Sequence, residues 1–234
     1  MTDTATRAVT DDAAAVRDLA LATLGLPETW TEPEGYPRSL ALSAIDSVFS
    51  LNGNYGAVEN ILRRYRALRR NDGADPDTDD GSDLLSVVET LGGPEAATRL
   101  FGRNPAPGTT RGKQGPVLKT TALVNGVQAL AGLGINTSAE LRNAPEEVLA
   151  AAERAWCAVR GLGEVSWTYL TMHTGVQGVK ADTMVRRFVT RAVGADRLVS
   201  AARAKDAVEQ AADSMGVTRR TLDHRIWRGQ SGRD

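Results

Sequence analysis

A single cysteine, Cys157, excludes an intramolecular disulfide and any cysteine-ligated cluster drawn from this chain alone. It sits in an Ala-rich helical pattern, where a small buried hydrophobe is expected rather than a reactive thiol. His173 and His224 are the only histidines, too few for a His/Cys zinc site, so no metal and no cofactor is expected. Aromatic residues are scarce at 5%, which makes the position of each Trp and Tyr informative. No apolar run approaches the ~18 residues needed to span a bilayer. The opening MTDTATRAVTDDAAA has neither a basic n-region nor an apolar core, so a cytoplasmic protein without a Sec-type signal or membrane partner is expected.

What is present is ordinary globular material: 234 residues, 41% of them apolar, enough for one large domain or two small lobes. The net charge of −1 conceals an asymmetry. Residues 1–100 carry −8, residues 101–176 carry +2 and residues 177–234 carry +5. A local basic patch, not the global charge, is what binds phosphate.

Period-2 alternation is absent, whereas Ala, Leu, Arg and Glu recur at helical spacing, which predicts an all-α fold. Helices are expected near 10–24, 37–50, 55–71, 83–92, 94–101, 115–132, 138–142, 145–160, 164–174, 182–193, 196–215 and 218–228. Asn54 and Ser138 are natural N-caps, Pro145 suits a first turn, and Gly194 and Gly216 are natural stops. Two stretches break the pattern. Residues 71–83, NDGADPDTDDGSD, hold six aspartates and no base, and read as a solvated, mobile linker. Residues 102–114 contain Arg103, Arg111 and Lys113 with no acid, and read as an exposed loop suited to phosphate contact. Residues 37–175 should form a central lobe, and residues 1–36 with 176–234 a terminal one, with a cleft between them.

Residues 151–194 carry the chemistry. Gly161-Leu162-Gly163 separates two helical patterns with no intervening loop, which lets backbone N–H groups at the start of the second helix face an anion. Asp182 opens a further helix nineteen residues after Gly163. As an isolated residue it is expected to cap that helix, and capping would hold its carboxylate rigid and ionised.

Val159-Arg160-Gly161-Leu162-Gly163 followed by Asp182-Thr183-Met184-Val185-Arg186-Arg187 resembles the helix-hairpin-helix DNA glycosylases, the superfamily of endonuclease III and of the adenine-mismatch and alkyladenine glycosylases. Val48-Phe49-Ser50-Leu51-Asn52-Gly53-Asn54-Tyr55 resembles the family segment that inserts an amide side chain into the duplex, with Asn52 at the wedge position. The helical pattern from Leu118 to Leu130 is similar to the one leading to the family's hairpin. The resemblance spans roughly residues 38–195, with 71–115 poorly matched and the hairpin-to-Asp spacing about one residue short. It implies a two-lobed glycosylase fold with the helix-hairpin-helix at 151–174.

The departures are specific. Members that also cut the backbone carry a lysine two residues after the second hairpin glycine; here that position is Val165, so the resemblance implies a monofunctional enzyme that uses water. Lys180, two residues before Asp182, could in principle substitute. The iron–sulfur cluster of some members is excluded by the cysteine count, and Trp167 stands where a small residue is usual.

The resemblance implies that a monomer flips a damaged or modified base out of double-stranded DNA and excises it, in repair or in defence against modified foreign DNA. Asp182 would stabilise the oxocarbenium-like sugar or activate water. Gly161, Leu162, Gly163, Glu164, Asn52, Arg111, Lys113, Lys119 and Arg186 would hold the DNA. Candidates for the base pocket are Trp167, Tyr169, Tyr55, Tyr36 and Trp30 as flat walls, with Asp46 as a second acid or as a solvent-facing residue. Two other readings stay open: a non-catalytic helix-hairpin-helix DNA-binding protein, and a helical interaction module without nucleic acid. A common face for Arg103, Arg111, Lys113, Lys119, Arg186 and Arg187 beside the hairpin would favour DNA.

Overall fold

The computed structural model describes the backbone of residues 2–110, 115–176 and 178–231, with side chains from residue 11 onward. Twelve α-helices and one 3-10 turn (Pro27–Thr29) form among these residues, and no strand does. The chain divides into two compact units, residues 34–176 and residues 1–33 with 177–234. The sequence reading put these boundaries at 36/37 and 175/176.

The terminal unit holds α1 (Thr2–Thr23), α10 (Thr183–Ala192), α11 (Ala201–Met215) and α12 (Arg219–Ser231). Alanines at 204, 207, 211 and 212 recur at three- and four-residue spacing and make the inner face of α11 flat, so α1 packs closely through Val16 and Ala20. Phe188 on α10 and Leu222 and Ile226 on α12 fill the rest of this core. Trp30, partly buried, packs against it and donates from Nε1 to the Leu24 carbonyl, which gives it a structural role in this unit. Gly216 ends α11 in the left-handed conformation, as expected.

The central unit is built around α2 (Leu40–Phe49), whose ten residues are all buried. α3 (Tyr55–Asn71), α4 (Gly81–Thr90), α6 (Lys119–Ala131) and α9 (Glu164–His173) pack on it, with α5 (Thr98–Phe101) against α3 and α8 (Glu146–Ala158) against α6 and α9. A helix buried on every side needs partners for its polar groups. Ser43 and Ser47 donate to the carbonyls of Ser39 and Ala44. Asn54 caps α3 as expected, accepting from Gly56 N–H at 2.9 Å. At α7 (Ser138–Asn143) the cap is Thr137 rather than Ser138: Thr137 and Glu140 form a reciprocal capping box, and Ser138 is buried as the first helical residue.

The aspartate-rich stretch 71–83 is not a mobile linker. Asp79 is buried and accepts from Tyr65 Oη at 2.8 Å and from Arg69 Nε at 2.7 Å, while Asp77 pairs with Arg66 at 2.7 Å. Asp80 caps α4 in a capping box with Asp83. The cations that neutralise the segment lie on one side of α3, where a reading of the segment's own composition could not find them. Several helices are also shorter than expected, among them α2, which starts at Leu40, and α11, which starts at Ala201. Residues 94–97 form a turn before α5. α6 starts at Lys119 because the residues before it pair with the preceding loop, Ala106 N–H donating to the Val117 carbonyl at 2.7 Å.

Candidate functional site

The hairpin lies in the central unit. Gly161 has φ +96°, a left-handed conformation that favours glycine, and a Cβ there would collide with that of Ala106. The need for glycine at 161 is therefore internal, set by turn geometry and a packed neighbour. Leu162 also differs from expectation: its side chain packs into the central core and lies against Gly126 of α6, and its N–H donates to the Val159 carbonyl at 3.0 Å. It is partly buried, packed against the core on one side and lining the concavity described below on the other. Gly163 is the open position. Its backbone is extended, and a Cβ there would meet nothing within 4 Å.

Ser166 organises the turn. Its Oγ accepts from Gly163 N–H at 3.0 Å and from Trp156 Nε1 at 2.9 Å, and donates to the Gly163 carbonyl at 2.7 Å. The Gly163 N–H is thus committed, and the hairpin's outward donors are the first-turn N–H groups of α9, at exposed Glu164 and Val165. Arg160, unremarked in the sequence, fastens the hairpin to the preceding loop by donating from Nη2 to the carbonyls of Thr109 (3.2 Å) and Gly115 (2.6 Å).

The Asn52 turn meets this hairpin across one concavity. A cavity of about 540 Å³ is lined by Leu51, Asn52, Pro107, Gly108, Thr109 and residues 160–166. Asn52 has φ +50°, the one left-handed non-glycine residue among those described. The structure therefore brings together Asn52, Gly161, Leu162, Gly163 and Glu164, and adds residues 107–109 of the 102–114 loop, which the sequence marks for phosphate contact through its basic residues.

The basic residues expected to hold DNA have different local environments. Lys119 is buried (5% exposed), with Nζ donating inward to the carbonyls of Phe49 and Leu51. As a phosphate contact it is wrong; its place at the first turn of α6 directs it under the Asn52 turn. Arg103 pairs with Glu95. Arg186 donates from Nε to the Val199 carbonyl at 2.8 Å, and Arg187 is exposed. Arg111 and Lys113 lie outside the described residues.

Of the base-pocket candidates, Tyr36, Asp46 and Tyr169 meet around His173, Tyr55 shares a groove with Tyr36, and Trp167 stands apart. Trp167 is buried in the central core, because it faces α2 from the inner side of α9. Asp46 does not face solvent and has little capacity for a ligand: Oδ2 accepts from Tyr36 Oη at 2.8 Å and Oδ1 from Ser50 Oγ at 2.7 Å, with His173 Nε2 3.5 Å away. Burial alone would raise its pKa, but the charge of a protonated His173 and the Ser50 and Tyr36 hydrogen bonds outweigh it, lowering the value to about 2. Asp46 is thus a buried anionic anchor, unsuited to donating a proton near neutral pH. Tyr36 and exposed Tyr55 line a separate groove of about 410 Å³ with Arg63, Arg66 and Arg70, the Arg66 guanidinium lying 5.4 Å from the Tyr36 ring centre. Tyr169 stacks on His173, which in turn contacts the Tyr36 ring.

Asp182 lies in the terminal unit and caps α10, as expected. Oδ1 accepts from the N–H groups of Met184 (2.8 Å) and Val185 (3.1 Å), and Oδ2 is 2.8 Å from Lys180 Nζ. Asp223 on α12 is buried beside this pair, and its Oδ1 accepts from Lys180 N–H at 2.9 Å. Desolvation pushes the Asp223 pKa up to about 7, with the Lys180 charge opposing and the Asp182 charge adding to the shift. Asp223, forty-one residues beyond Asp182, had no signal in the sequence. Cys157 is half-buried, and burial with the Glu153 and Glu164 charges raises its thiol pKa, as suits an unreactive residue.

Among the described residues no helix is long and apolar enough to cross a membrane. No curated protein matches the chain. Residues 14–231 match a family described as a domain of unknown function (DUF8548), and the chain belongs to that family.

Proposed function

We propose that this chain is a DNA N-glycosylase of the two-lobed helix-hairpin-helix type, one that extrudes a damaged or modified base and hydrolyses its glycosidic bond without lyase chemistry. The observation that carries this reading is the shared concavity of the Asn52 turn and the hairpin. A left-handed turn presenting an amide side chain, beside a helix start with outward N–H groups, suits insertion into a duplex gripped by its phosphates. Gly163 leaves room for a strand to approach, and Asn52 fills the gap left by the extruded base. The carboxylate of Asp182 stabilises the positive charge that develops on the sugar. Val165 supplies no amine at the hairpin helix, so water completes the reaction.

A second reading, a DNA-binding protein without turnover, draws support from Asp182 itself. Two N–H donors and the Lys180 ammonium already engage its oxygens, which suits a structural cap as well as a catalytic anion. Incubation with duplexes carrying alkylated, deaminated, oxidised or mispaired bases, followed by alkali, separates the two. Strand breaks that need alkali and vanish in Asp182→Asn are the expected result. Binding without release on every duplex would establish the second reading, and breaks without alkali would refute the water mechanism.

A further inference from the structure

Four of the chain's 28 basic residues are lysines, and Lys119 is buried without a carboxylate. Its Nζ donates to the Phe49 carbonyl at 3.0 Å and to the Leu51 carbonyl at 2.6 Å, and lies 5.9 Å from the centre of the Phe49 ring. Burying an ammonium is costly, and a methionine would fill similar volume without that cost. Methionine would, however, leave both carbonyls without this donor, so what the lysine adds here is its hold on the turn.

The two carbonyls it holds define the turn that presents Asn52. Phe49 is the last residue of α2, so its carbonyl lacks an acceptor role within the helix. The backbone folds tightly over that oxygen: Gly53 N–H donates to the Ser50 carbonyl at 3.2 Å, and a Cβ on Gly53 would collide with Phe49 O. The Leu51 carbonyl belongs to the peptide leading directly into Asn52, whose φ of +50° is disfavoured for any residue with a Cβ, least so for Asn. Lys119 is itself fixed, its N–H donating to the Asn104 carbonyl at 2.9 Å.

We infer that Lys119 is a positioning residue for Asn52, its ammonium clamping the 50–54 turn in the left-handed conformation that carries the amide into the concavity beside the hairpin. The functional part of this inference rests on the glycosylase reading of Asn52; the mechanical part does not. It also explains why a lysine close to the proposed interface makes no phosphate contact.

Lys119→Met in the full chain removes the charge and nearly preserves the volume. Amide exchange without DNA should quicken about tenfold or more at residues 51–53, with protection within α6 and α2 retained. On a duplex with 2-aminopurine beside the modified base, the extrusion signal should fall about tenfold. Asn52→Ala should match that loss, and the double variant should add little to it. The salt dependence of DNA binding should stay at its wild-type slope, whereas a phosphate contact would reduce it by about 0.9. Unchanged exchange at 51–53 in folded Lys119→Met, or a reduced salt slope, would overturn the inference. If that variant does not fold, Lys119→Gln, which retains a donor, should show intermediate exchange, and wild-type exchange there would equally overturn it. A wild-type protein that extrudes no base from any duplex defeats the glycosylase reading, and the exchange comparison still decides whether Lys119 clamps the turn.

Discussion

The surface around Gly163 and the cluster around Asp182 differ in what they leave unused. At the first, Ser166, Arg160 and Lys119 satisfy the inner groups while Asn52, the Gly163 edge and the start of α9 face a cavity. At the second, Asp182 is engaged by two N–H groups and an ammonium, with a second buried carboxyl beside them. The first is an open concavity, and the second is a self-compensated charge cluster. A carboxylate so fixed needs no reorganisation to act on a nearby positive charge, while the Lys180 ammonium offsets part of its field.

The largest expected effect tests that distinction. Asp182→Asn should lower base release about 10²–10³-fold in single-turnover kinetics, with DNA affinity within about threefold of wild type. Equal loss of affinity and release would make Asp182 a structural cap only. Removing the cation instead, in Lys180→Met, leaves buried Asp223 and part-buried Asp182 without their ammonium. Denaturant unfolding should show a loss of about 2–3 kcal/mol, and a change below 0.5 kcal/mol would mean the pair contributes little.

The two hairpin glycines sharpen the comparison from the other side. Gly161→Ala should destabilise by roughly 2–3 kcal/mol, through backbone strain and the clash with Ala106. Gly163→Ala should leave stability within about 0.5 kcal/mol yet weaken duplex binding about tenfold, because its Cβ would occupy the space a strand needs. Binding unaffected by Gly163→Ala would show that the open edge of the hairpin is not where DNA approaches.

The smallest effect concerns pH. Asp223 is raised from 3.8 to about 7 on folding, so its contribution to stability is complete below about pH 4 and is lost as pH rises through about 7. Asp223→Asn cannot ionise but keeps an oxygen to accept from Lys180 N–H. Its stability relative to wild type should therefore climb by about 1 kcal/mol per pH unit between pH 5 and 7. A pH-independent difference would mean that Asp223 titrates normally.

Helical periodicity and end signals carried most of the secondary structure, since caps such as Asn54, Asp182 and Gly216 act locally. What periodicity does not carry is which neighbour a polar residue meets. Asp79 is buried because Tyr65 and Arg69 lie on the adjoining helix, and Lys119 turns inward because α2 ends above it. Trp167, next to the most informative motif, is a core residue for the same reason: proximity in sequence to a site does not decide which way a side chain points. The glycine spacing located the hairpin correctly, but Gly161 answers to Ala106, and only Gly163 is open to an approaching ligand.

Amide exchange on the full chain, with and without a modified-base duplex, is the most direct test of the claim that this surface meets DNA. The account predicts new protection at residues 51–54, 107–109 and 163–166, together with lost protection in the presence of high salt as the duplex dissociates. Protection elsewhere in the central unit with these three segments unchanged, under conditions where the duplex is bound, would contradict it.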